Sequence, residues 1–264
     1  MTEIVRPGSR QEWLSYGKLY LTETDLVRKN YCGWTKEGDF PLPGVRVCLY
    51  GYYNAKYDPI AEIAEANWNA YCRRHGYALR TYPGAFTDTE DGDRMHDPVR
   101  GEARFPLYYD IRGLFDIACY LDIDSLFVNM GMPIEAVLAN NPPSYDRRFA
   151  WSYDDNGPNT SVLIARTDDT TEKHLRYAYE YAKNNNNVRH DRIERGGISD
   201  QDAMTDLMNI PPFSRTFGSC FSADSMGIAY KEDDVTPQTW IRSYAGMSFD
   251  EKLAAMKERT RAAV

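Results

Sequence analysis

Two acids two residues apart, Asp122 and Asp124, sit in the run Tyr120-Leu121-Asp122-Ile123-Asp124-Ser125-Leu126-Phe127-Val128-Asn129, which is otherwise mostly apolar. Residues i and i+2 of a strand share a face, so a short strand over 120–124 would end with two carboxylates side by side. Burying them costs roughly several kcal/mol each unless something compensates. A divalent cation compensates. Carboxylate oxygens are hard ligands suited to Mg2+ or Mn2+, and the same ion can grip a diphosphate. The plainer alternative is a strand that stops at the surface with both acids in water. The apolar residues on either side of the pair favour a site.

The elements around the pair read as an α/β domain. Val45 to Gly51 alternates and is β-prone, which predicts a first core strand. Asp58-Pro59 opens a helix whose buried face is marked by Ile60, Ile63, Ala64, Trp68, Tyr71 and Cys72, and His75-Gly76 closes it. Tyr77 to Tyr82 is a second strand, completing the β-α-β unit of a parallel sheet covered by helices. The spacing of Leu107, Ile111, Leu114, Phe115 and Ala118 predicts a helix from Pro106 to Cys119. Further strands are expected over 149–153 and 161–165, and further helices over 133–138, 170–182 and 199–208. Cys220-Phe221 and Gly227 to Tyr230 are β-prone. Ser248 with Glu251 three residues later is a capping box that opens a last helix. Residues 1–44 read as an N-terminal extension and 45–264 as a single domain. The polar stretches 84–104 and 184–197 read as loops.

Composition narrows the chemistry. The chain has 264 residues, with 31 Lys and Arg against 39 Asp and Glu, for a net charge of −8. Such an acid excess excludes a non-specific nucleic-acid binder, which needs a basic surface. Phosphates must then be handled locally, by a metal or a few placed cations. The cysteines Cys32, Cys48, Cys72, Cys119 and Cys220 are scattered without a Cys-x-x-Cys pair, which reads as reduced thiols. With no signal-like leader and no run near the ~20 apolar residues of a membrane span, a cytoplasmic setting is expected. Most of the 20 tyrosines belong to the core, but Tyr52, Tyr53 and Tyr244 could make flat contacts with a base or sugar.

Four segments in register resemble the GT-A-fold glycosyltransferases, with the closest likeness to the retaining galactosyl-, xylosyl- and mannosyltransferase group. The Asp-x-Asp run is the first. Asn67-Trp68-Asn69-Ala70-Tyr71-Cys72-Arg73-Arg74-His75-Gly76-Tyr77 is similar to the passage that ends the first helix in those enzymes. Asn159 to Arg166 resembles their Asn-led apolar strand, and Ser199-Asp200-Gln201-Asp202-Ala203-Met204 their Asp-Gln helix start. The likeness covers roughly residues 45–253. It implies a Rossmann-like, mixed and mainly parallel sheet flanked by helices. It also implies transfer of a sugar from a nucleoside-diphosphate sugar to a hydroxyl of a glycan or glycoconjugate acceptor, metal-assisted through the Asp-x-Asp pair and with retention of anomeric configuration. By the same resemblance, Asp124 would be the more direct ligand of Mn2+ or Mg2+, and Asp122 would be shared between metal and ribose. Tyr52 and Tyr53 would lie under the base. Asn159 would hold the donor sugar, and Asp200 and Gln201 would lie near the anomeric carbon.

One departure stands out. Many metal-dependent members carry a His-x-x-Gly segment near the C-terminus whose His completes the metal shell, and here Ser243 holds that place in Trp240-Ile241-Arg242-Ser243-Tyr244-Ala245-Gly246. A hydroxyl is a poor third ligand. Either water replaces the His, or Arg242 or Lys252 supplies positive charge to the diphosphate directly. His96, His174 and His190 show no ligand spacing. Two other readings remain open at this point. One is a haloacid-dehalogenase-like phosphohydrolase using Asp122 and Asp124, and the other is a non-catalytic binding module of the same fold.

Overall fold

The computed structural model describes residues 18–20, 45–53, 55–83, 111, 113–140, 149–154, 157–185, 200–210, 213 and 220–262. The expected loop 84–104 and residues 186–197 of the expected loop 184–197 lie outside these residues, while Asn184 and Asn185 end a helix.

Strand β2 (Val47–Tyr53) leads into helix α1 (Asp58–His75), which returns to strand β3 (Ala78–Pro83). The helix is capped by Tyr57 rather than Asp58, with Pro59 in its first turn, and Gly76 at φ 73° closes it. β2 and β3 pair in parallel, and β2 also pairs in parallel with β4 (Ile117–Leu121). β1 (Lys18–Tyr20) adds an antiparallel edge beside β3, so part of the expected N-terminal extension joins the sheet. On the other side, β7 (Gly157–Arg166) runs antiparallel to β4 and to β6 (Phe149–Asp154), and β6 pairs in parallel with β8 (Cys220–Ser222). The sheet order is β1-β3-β2-β4-β7-β6-β8. This is the mixed α/β sheet flanked by helices that the sequence led one to expect.

The sheet is buried on both faces, as its central parallel strands require. Along β2, Val47 and Leu49 join one apolar cluster with α1, while Cys48 and Tyr50 join the other. The second cluster is covered by α3 (Asp169–Asn185) and α4 (Asp200–Leu207), which supply Leu175, Ala178, Met204 and Leu207. A second sheet, β5 (Ser125–Phe127), β10 (Ile241–Ser243) and β9 (Ile228–Ala229), packs on the α1 side with α2 (Ile134–Asn140). A short helix α5 (Ala223–Met226) precedes β9, and α6 (Phe249–Ala262) packs against α1.

Two expectations change. Of the helix predicted from Pro106 to Cys119, residues 106–110 and 112 lie outside the described residues; the Leu114 and Phe115 amides donate to Ile111 O, and the chain is extended from Ile117. A fully buried strand shows a continuous apolar run, which sequence spacing does not separate from a buried helix. The strand carrying the acid pair also sits three residues earlier than expected, so it ends at Leu121. Among the described residues, no helix is long and apolar enough to cross a membrane. Cys48, Cys72 and Cys119 are buried and form no disulfide.

Candidate active site

Asp122 and Asp124 lie on the turn between β4 and β5, at the carboxyl ends of the parallel strands β2 and β4. Open sheets of this kind bind ligands at that edge. The Asp122 amide still donates to Ser161 O at 2.9 Å, one step beyond the β4–β7 ladder, and the chain then turns. The turn lies close against β2: a Cβ at Gly51 would come within 2.7 Å of Leu121 O and 2.9 Å of the Trp68 ring. Glycine is required there by close approach, not by backbone angle.

The two acids have different surroundings. Asp122 is half-buried, and its Oδ1 accepts from Tyr120 Oη at 2.7 Å. Tyr120 in turn packs edge-on to Tyr50 and tilted against Tyr52, with ring centroids 5.3 and 6.0 Å away. Asp124 is buried, and its Oδ2 accepts from Lys252 Nζ at 2.6 Å. Burial pushes its carboxyl above the ordinary carboxylate range, the Asp122 charge pushes the same way, and Lys252 opposes both. Burial works against the Lys252 ammonium, but Asp124 more than offsets this and holds its pKa above the usual lysine value.

Lys252 is placed by the start of α6. Ser248 Oγ and its amide both donate to Glu251 Oε2, at 2.6 and 2.9 Å, and the Glu251 amide donates back to Ser248 Oγ at 3.4 Å. This is the capping box read from sequence. It puts Lys252 in the first turn, where the helix dipole disfavours a cation. The lysine is therefore held there by Asp124, not by its own helix.

A divalent ion on the acid pair fits these surroundings poorly. One Asp124 oxygen already carries an ammonium, and the other, Oδ1, is buried without a hydrogen-bond partner. Mg2+ and Mn2+ keep several waters and phosphate oxygens around them, which a closed-off oxygen cannot share. An ammonium and a dication about 4 Å apart repel by about 8 kcal/mol at an effective dielectric near 20. Ser243 Oγ is buried too, and among the described residues no group of three or more His, Cys, Asp and Glu could hold a metal. The structure pairs Asp124, the expected direct metal ligand, with Lys252.

The remaining expected residues divide. Tyr52 faces Tyr120 and stays half-buried at the strand edge, beside Asp122. Tyr53 points to the opposite face, is buried, and donates to Glu65 at 2.9 Å, so alternation along β2 removes it from a base platform. Asn159 stands at the start of β7, where its Oδ1 accepts from the Ser161 amide at 2.8 Å and shapes the strand entry. Asp200 and Gln201 open α4, on the sheet face that also carries Tyr120. Arg242 differs most from expectation. Its guanidinium is buried, donates to the carbonyls of Ser243 and Ala229, pairs with Glu232 and lies 4.6 Å from the Tyr244 ring centre. It braces the small sheet, and Tyr244 is buried beneath it rather than offered to a ligand. Sequence reasoning missed Tyr120 as a partner of Asp122. Its place two residues before the acid, on the same strand face, was the available signal.

The segment Asn67 to Tyr77 acts as a grip on the chain that follows Asp124. Asn67 exchanges two hydrogen bonds with the Phe127 backbone at 3.0 and 2.8 Å, and Trp68 Nε1 donates to Ser125 O at 2.8 Å. Tyr71 stacks on Phe127 at 3.6 Å between centroids and donates to Met132 O. His75 Nε2 meets Met130 O at 2.9 Å, while Tyr77 donates to buried Glu135 and accepts from the Ile134 amide.

No family model matches the chain, and no curated protein matches it. Solved structures do. A glycosyltransferase involved in glycosylation of the major capsid of PBCV-1 aligns with a TM-score of 0.56 at 11% identity, covering 81% of this chain and 99% of that one. The galactosyltransferase LgtC, solved with donor and acceptor sugar analogs, aligns with a TM-score of 0.52 at 12% identity, covering 82% and 95%. With a mixed sheet in this order and the acid turn at its carboxyl edge, the chain has the GT-A fold of these glycosyltransferases.

Proposed function

We propose that this protein is a glycosyltransferase that moves a hexose or pentose from a nucleoside-diphosphate sugar to a hydroxyl of a glycan or glycoconjugate, with retention of anomeric configuration. The observation that carries the reading is the Asp122–Asp124 turn, set at the carboxyl edge of β2 and β4 with a lysine ammonium built into it. The bond from the anomeric carbon to the diphosphate breaks, and a bond to the acceptor oxygen forms. Negative charge grows on the leaving diphosphate, so a cation at this edge lowers the barrier. Tyr52 offers a flat face beside Asp122 for the base, and Asp122 an acceptor for ribose hydroxyls. Asn159, Asp200 and Gln201 are assigned to the donor sugar on the strength of the segments they open. Retention rests on the resemblance of those same segments.

A phosphohydrolase would need a carboxylate free to attack phosphorus. Here Tyr120 holds Asp122 and Lys252 holds Asp124. Incubation with a panel of nucleotide sugars and simple sugar acceptors tests the reading. Release of a nucleoside diphosphate with formation of a glycoside supports it, and NMR of the product anomer tests retention. Release of phosphate from monoesters, or no turnover at all with binding of none of the donors, overturns it. Tyr52→Ala should raise KM for the donor by about tenfold with little change in stability.

A further inference from the structure

We infer that Lys252 is the cation of the donor site, standing where a divalent metal would otherwise sit, so that diphosphate binding in this protein is independent of metal. The inference rests on the donor-site reading above and deepens it. Its ground is geometric. Lys252 Nζ lies 2.6 Å from Asp124 Oδ2, with both side chains only 11% exposed, so the ammonium occupies the carboxylate that a metal would need. Asp124 Oδ1 is buried and cannot serve an ion shared with a ligand at the open edge. Ser243 pairs with Ser125 beside the acid turn, and at the position where the resemblance would put a third metal ligand it carries a neutral, buried oxygen. The other nearby cation, Arg242, is spent on Ala229 O, Ser243 O and Glu232.

The arrangement is also built rather than incidental. The capping box fixes the first turn of α6, and that turn delivers a lysine against the helix dipole to an acid 128 positions earlier. An ammonium has three donors. One is used on Asp124, which leaves the others for phosphate oxygens. Asp124 is then a positioning residue for Lys252. Asp122 accepts from Tyr120, and its charge adds to the field that favours the ammonium.

Calorimetry with UDP, GDP, CDP and ADP on the wild-type protein, in excess EDTA and in excess Mn2+, tests this without any variant. Affinity for the diphosphate that binds should change by less than about threefold between the two conditions. A loss of about tenfold or more in EDTA overturns the inference. Mn2+ alone, followed by electron paramagnetic resonance, gives a readout independent of nucleotide. Wild type should leave the ion free, whereas Lys252→Met frees Asp124 and should bind it about tenfold more tightly. In EDTA, Lys252→Met should lose diphosphate affinity by about tenfold or more, and Lys252→Arg should keep most of it. Unchanged diphosphate binding by folded Lys252→Met, or stoichiometric Mn2+ on wild type, overturns the inference. If Lys252→Met does not fold, the EDTA comparison and Lys252→Arg decide. If no diphosphate binds in either condition while Mn2+ still separates wild type from Lys252→Met, the donor reading falls and the lysine's place as the cation stands.

Discussion

The stretch from Asp122 to Glu135 has two halves of opposite character. From Ser125 onward, nearly every turn of the backbone is held by a side chain of α1 or by Tyr77, which meet its carbonyls and amides. Around the turn that precedes it, Asp124 Oδ1, Ser125 Oγ, Ser243 Oγ and Tyr244 Oη are buried without hydrogen bonds. A satisfied network fixes geometry, while unsatisfied buried oxygens are retained where something other than stability is gained. The comparison separates what holds the site from what acts in it. The Asn67-to-Tyr77 passage, legible in sequence as a motif, is a clamp. Its work is to place a turn that carries none of its own residues.

The clamp should be costly to break. Trp68 is fully buried and donates to Ser125 O, so Trp68→Ala should lose about 3–5 kcal/mol in urea unfolding. A loss below about 1 kcal/mol would mean that the clamp is dispensable. The pH response of the clamp is a sharper test. Burial pushes the Glu135 carboxyl above its ordinary value, while Tyr77 opposes this. A raised carboxyl pKa favours the protonated form in the folded state. The contribution to stability is then full below the usual glutamate range and is lost as pH rises through the raised value. Wild type should therefore lose stability relative to Glu135→Gln as pH rises from about 4 toward neutrality, measured as the difference between two urea series. A difference that is flat in pH would place a charged Glu135 in the clamp. The acting half should be cheaper to perturb. Ser248→Ala removes one side of the capping box and should cost about 1 kcal/mol. Its larger signature is weaker diphosphate binding, because Lys252 loses its fixed turn. Unfolding and binding measured on the same sample separate the two effects.

Much of this was readable from residues in order. The β-α-β start, α1 with its glycine stop and the capping box of α6 are local features, and each appears within a residue or two of its expected place. The acid pair was readable because two carboxylates in an apolar run are unusual on physical grounds. What failed was non-local. Ile117 to Leu121 is apolar at every position, so its period carried no information and the expected helix ran on into it as far as Cys119. Lys252 and Arg242 were both visible as cations near the end of the chain. Only the fold decides that one reaches Asp124 while the other folds back on β9 and Glu232. Tyr52 and Tyr53 were equivalent as letters, and the phase of β2 sent them to opposite faces.

The ion pair between Asp124 and Lys252 also has a consequence for the order of assembly. Its members are 128 positions apart, and every strand of both sheets precedes α6 in the chain. At about 5–20 residues per second, Asp124 is synthesised roughly 6–25 s before the lysine that neutralises it. During that interval the sheet can form but the acid turn carries an unbalanced charge, and it stays open to water until α6 docks on α1. Completion of the site is thus timed by α6, and a nascent chain that has not yet made it is a scaffold without a working centre.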